Sequence, residues 1–183
     1  MEDFYNAGSK MTVALLTLNL LSIVAIAVSV VYGILIPRAG ALGYHLSISL
    51  VAVLLAVFTH TMTYFYFIGV GSSIRRAVEE YGTGEGALAE SRRLKGRVLP
   101  WAGGAILLVM ATFVLGGGAH TRAFPGWVHG APGYLTLVFS VMAFFAEAKY
   151  LFRQNRVANG LQKQLASSAE TSAPELRMKS RSS

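Results

Sequence analysis

The sequence predicts an all-α integral membrane protein, an antiparallel four-helix transmembrane bundle with both termini in the cytoplasm. Three observations predict it. Of the 183 residues, 54% are apolar and only 14% are charged, whereas a soluble domain usually carries about 25% charged residues. The missing charge is concentrated in four stretches, each close to the ~20 apolar residues a helix needs to cross the hydrocarbon core. The basic residues that remain sort to one side of those stretches. This composition excludes a water-soluble globular domain and a disordered chain. The absence of cysteine excludes a disulfide scaffold, thiol chemistry, iron–sulfur ligation and c-type haem attachment.

The first span, about 11–36, carries Asn19 as its only strongly polar side chain. Pro37 should end it, because proline lacks the amide donor and clashes with the preceding turn. Ala39-Gly40-Ala41 could mark a signal-peptide cleavage site, but the run far exceeds a signal core of roughly 7–15 residues. It therefore reads as a retained helix. The second span, about 42–70, ends in Tyr64-Phe65-Tyr66-Phe67, aromatics suited to the headgroup level. The third, about 99–116, opens on Pro100 and Trp101, and proline costs little in a first helical turn. The fourth covers about 133–153. All four should be helical, since lipid offers no partner for an unsatisfied backbone group. They offer no clear internal repeat.

The segment 71–98 is expected to be a cytoplasmic loop. Ser72 to Glu80 should carry the second helix into water, with Arg75, Arg76, Glu79 and Glu80 at spacings that permit ion pairs. Gly82-Thr83-Gly84-Glu85-Gly86 then reads as a turn, because no strand precedes it to form a phosphate-binding loop. Ala87 to Val98 is a basic amphipathic stretch that reads as a surface helix leading into the third span. Residues 1–160 constitute one transmembrane domain, and the polar tail, 161–183, is expected to be disordered.

Fourteen of the sixteen basic residues lie before the first span, in the 71–98 loop, or at and beyond the end of the fourth span. Only Arg38 and Arg122 lie on the opposite side. The positive-inside rule then places the termini and the long loop in the cytoplasm, as expected of a bacterial inner membrane protein. The net charge of +7 is accounted for by topology and anionic lipid, so no nucleic-acid partner is expected.

Chemical interest rests on four histidines. His45, His120 and His129 stand at three helix ends on the extracytoplasmic face. Neutral imidazole is the commonest metal ligand and suits haem iron, copper or zinc. The outer loops carry no Asp or Glu, which argues against calcium or magnesium. These three are the candidate metal ligands, and interfacial packing is the alternative. His60 lies within the span, 15 residues after His45, or about 22 Å along a helix. That spacing on one helix resembles the ligand helices of di-haem cytochromes b, and the resemblance makes His60 a candidate cofactor ligand too. A second helix with a matching pair is missing; a homodimer would supply one. A structural role for His60, hydrogen-bonded to Asn19 or Ser22 at similar depth, is the competing expectation. Glu147, the only acid in a span, is expected to pair with Lys149 and Arg153 at the interface, with a proton relay as the alternative.

No Ser-His-Asp set, HExxH motif or intramembrane aspartate pair is present, so no independent catalytic activity is expected. Two function classes remain. One is a small electron-transfer component holding haem b, copper or zinc. The other is a non-catalytic accessory or scaffold subunit of a larger membrane complex.

Overall fold

The computed structural model describes the backbone of residues 2–39 and 42–179, with side chains described for 8–35 and 42–169. It contains four helices and, among the described residues, no strand: α1 Glu2–Ala39, α2 Leu42–Tyr81, α3 Glu85–His120 and α4 Trp127–Lys179. All four include stretches long and apolar enough to cross a membrane. Consecutive helices pack side by side, α1 closes the ring against α4, and α2 meets α4 across the short diagonal. That diagonal brings both functional clusters together.

The inward face of each helix follows a spacing of alternating three and four residues. In α1 the buried positions are Thr12, Leu15, Asn19, Ser22, Ile26 and Ser29. In α2 the seam runs through Val53, Ala56, His60, Thr63, Phe67 and Ile74. A 3.5-residue repeat keeps one stripe facing its neighbours, as in other antiparallel bundles. The stripe is unusually polar, while Val13, Leu20, Val31, Leu54, Phe65, Leu107 and Phe145 point outward with half or more of their surface exposed. Large contiguous apolar surface on a soluble monomer would be a liability; on a membrane-spanning bundle it is the lipid contact. Small residues allow close packing, with Ala102 and Ala105 of α3 and Ala143 of α4 almost fully buried.

The core is layered along the bundle axis. The imidazoles of His45 and His129 lie at the end with the α1–α2 and α3–α4 turns. An apolar layer built from Ile26, Ala52, Val53, Ala56 and Val109 follows. Next comes a polar layer around His60, then a second apolar layer of Leu15, Tyr66, Phe67, Leu94, Val98 and Leu151.

Several boundaries differ from expectation. α1 continues two residues past Pro37 to Ala39. The amphipathic 87–98 stretch is not a separate surface helix, because α3 runs unbroken from Glu85 through Pro100 to His120. α4 continues to Lys179, through the tail expected to be disordered. The glycine turn is as expected: Gly82 and Gly84 adopt positive φ values of 64° and 96°. A Cβ on Gly84 would also collide with Leu161 Cδ1, so that position requires glycine both for its backbone and for α4 to pass beside it.

Candidate functional site

The structure brings together two of the four predicted ligands. His45, in the first turn of α2, and His129, in the first turn of α4, meet edge-on, with ring centroids 6.0 Å apart and planes at 71°. Each ring is fixed from behind. His45 Nδ1 donates to Ser29 O at 2.9 Å, and His129 Nδ1 donates to Thr112 O at 3.0 Å. A carbonyl can only accept, so Nδ1 carries the proton in both rings. The lone pair of each neutral imidazole therefore sits on Nε2, the ligand tautomer set by an outer hydrogen bond.

The same local device builds both halves. Ser29-Val30-Val31-Tyr32-Gly33 in α1 corresponds to Thr112-Phe113-Val114-Leu115-Gly116 in α3. Within a helix, the carbonyl of residue i lies under the side chain of residue i+4. Glycine at i+4 uncovers it. A Cβ on Gly33 would come within 3.2 Å of His45 Cε1, and one on Gly116 within 2.9 Å of His129 Cε1. The hydroxyls repeat the pattern, Ser29 bonding Ser49 at 2.6 Å and Thr112 bonding Thr136 at 2.7 Å. The partner hydroxyl lies four residues after His45 but seven after His129, so the likeness is a recurring local contact and not an internal repeat.

His120 is the exposed last residue of α3. Among the described residues, no group of three or more His, Cys, Asp or Glu side chains is placed to hold a metal ion. His45 and His129 are a pair, with no third such side chain grouped with them among the described residues.

His60 belongs to a different cluster, in the middle of the bundle. It is 1% exposed, and its Nδ1 lies 2.6 Å from Glu147 Oε1. The other carboxylate oxygen accepts from Asn19 Nδ2 at 2.9 Å and Thr63 Oγ1 at 3.3 Å. Ser22 donates to Asn19 O at 2.8 Å. This corrects the expected role of Glu147. It is fully buried rather than paired at the interface, because its seam position on α4 points across the diagonal at α2. Arg153 pairs instead with Glu90 at 2.7 Å. His60 bonds to neither Asn19 nor Ser22 directly; Glu147 joins it to Asn19. Nor does it need a second copy of the chain for a partner, since Glu147 of the same chain takes its Nδ1. Asn19 Oδ1 is buried with no partner among the described residues.

No protein-family model, characterised protein or solved structure matches the chain. The functional reading rests on this geometry alone.

Proposed function

We propose that the protein is a membrane electron-transfer component that holds one haem b between His45 and His129. The observation that carries this reading is the edge-on imidazole pair with both Nδ1 protons committed to backbone carbonyls. With their rings 6.0 Å apart and Nε2 free on each, His45 and His129 would be the two residues that hold the group. Two nitrogen ligands alone leave a bare copper or zinc ion under-coordinated. A porphyrin brings four in-plane nitrogens of its own, so the missing third protein ligand is no defect. When bound, haem supplies a one-electron carrier whose potential depends on axial ligands and surroundings.

The chain's residues then have defined tasks. Ser29 O and Thr112 O orient the rings, and each hydrogen bond makes its imidazole a stronger donor. Gly33 and Gly116 leave the space those bonds require. If both imidazoles held the haem, the chain would supply both of its protein ligands, and the bound group would serve to carry electrons rather than to react with a substrate. The sorting of basic residues towards the other end supports an extracytoplasmic side for this one. Electrons would be exchanged there with a membrane carrier or a partner subunit.

The purified full-length protein should show a Soret band and, on reduction with dithionite, a sharp α-band, with one haem b per chain by pyridine haemochromogen assay. A colourless product from cells supplied with a haem precursor would sink the proposal. Orientation is tested separately. A reporter active only in the cytoplasm, fused at residue 85, should be active, and activity only of a periplasmic reporter would reverse the topology.

A further inference from the structure

A cavity of about 260 Å³ opens between α2 and α3 near the α2–α3 turn, at the end of the bundle remote from the imidazole pair. Arg75, Arg92 and Lys95 line it, and no acidic residue does. Arg92 and Lys95 make no ion pair among the described residues, and Arg75 has only an exposed contact with Glu79 at 3.9 Å. Like charges gathered without counter-charge repel one another unless an anion offsets them.

Ser91 provides an independent indication. It lines the cavity and is 2% exposed. Its Oγ lies 2.7 Å from Gln154 Nε2, and Gln154 Oε1 is buried without a partner among the described residues, so this Ser–amide pair carries unmet hydrogen-bonding capacity. Such capacity is costly when buried, and an oxygen-rich anion in the cavity would accept from the Ser91 hydroxyl. The remaining wall shows which anion. Phe67 and Ile68 line the cavity on the side towards the span, and Ile68 is 52% exposed on the outer face of α2. The cavity therefore joins a cationic, hydroxyl-bearing mouth to an apolar surface that would face acyl chains.

We propose that this cavity is a binding site for the phosphate group of an anionic phospholipid. The phosphodiester sits among Arg75, Arg92 and Lys95 and accepts from Ser91, while its acyl chains follow α2 past Ile68. A basic pocket between transmembrane helices on the cytoplasmic side suits such a headgroup. The inference uses the membrane reading of the fold but not the haem assignment, so either can fail alone.

Native mass spectrometry of the full-length protein, titrated with phosphatidylglycerol or phosphatidylcholine in mild detergent, provides the test. One phosphatidylglycerol should bind in preference to phosphatidylcholine. The R92Q/K95Q variant should bind it roughly tenfold more weakly or worse, at about a kcal/mol per basic residue. S91A should weaken binding a few-fold without any change of charge. R76Q/R97Q removes the same charge from positions outside the cavity and should bind as wild type. An equal loss in R76Q/R97Q would reduce the effect to diffuse surface attraction and overturn the site. Equal binding of the two lipids would overturn its anion selectivity. Displacement of bound lipid by millimolar glycerol 3-phosphate would assign the cavity to a soluble phosphate and overturn the lipid.

Discussion

Replacing His129 by alanine is expected to abolish haem binding, and His45→Ala should do the same. A porphyrin iron held by two imidazoles loses half its protein ligands in either variant, and no third His, Cys, Asp or Glu is grouped with the pair to substitute. His120→Ala should retain full haem, because His120 is the exposed end of α3. His60→Ala should also retain it, since the His60 imidazole is tied to Glu147 about 22 Å along α2 from His45. The glycine variants probe the same site without touching a ligand. Gly116→Val brings a branched side chain to where a Cβ alone would lie 2.9 Å from His129 Cε1. The ring must then leave Thr112 O, and loss of such an outer hydrogen bond typically costs 10–100-fold in metal affinity. Haem per chain, measured beside far-ultraviolet circular dichroism to confirm folding, checks all five variants. Addition of free imidazole to His129→Ala should restore the spectrum in part, an outcome that a purely structural His129 would not give. Full haem in both His45→Ala and His129→Ala would end the assignment.

The four helices were legible in the sequence because hydropathy and length are read directly against bilayer thickness. The seam was harder to see. In water an inward stripe is apolar against a polar background, but here the lipid-facing residues are as apolar as any core. The inward face is marked instead by polar residues at seven-residue intervals: Thr12, Asn19 and, after Ser22, Ser29 in α1, and Ser140, Glu147 and Gln154 in α4. That spacing put Glu147 on the seam, whereas its nearness in sequence to Lys149 and Arg153 pointed to the interface. The imidazole pair was half legible. His45 and His129 stood out as residues at helix starts, and His120 stood out equally, because charge sorting says which side a residue is on but not which neighbour it faces. The distinguishing signal was the pairing of each imidazole with a hydroxyl residue and a glycine four positions later, Ser29 with Gly33 and Thr112 with Gly116. Read against each other, those two segments separate His45 and His129 from His120.

Glu147→Ala is expected to be among the most destabilising single substitutions in the bundle, at about 2–4 kcal/mol. The side chain is fully buried and ties α4 to α1 and α2 through Asn19, His60 and Thr63. Its removal strands Asn19 Nδ2 and His60 Nδ1 at once, while Thr63 keeps Thr59 O as an acceptor at 3.2 Å, in a layer with apolar packing above and below. Hydrogen bonds within membranes average only about 0.6 kcal/mol each, because the unfolded state in lipid also finds partners. The larger figure arises because the two losses are simultaneous and one involves an ionisable pair, whose disruption leaves an uncompensated buried group. Glu147→Gln keeps an acceptor for His60 Nδ1 but turns an amide towards the donors Asn19 and Thr63, so it should cost about half as much. The double variant His60→Leu/Glu147→Leu removes both members of the pair and should recover much of the loss, since a well-packed apolar replacement of a buried pair is often neutral. Thermal unfolding of the four proteins in one detergent gives the ranking: wild type, then the double Leu variant, then Glu147→Gln, then Glu147→Ala. If Glu147→Ala unfolded at the wild-type temperature, the polar layer would not hold the bundle together, whatever its hydrogen bonds.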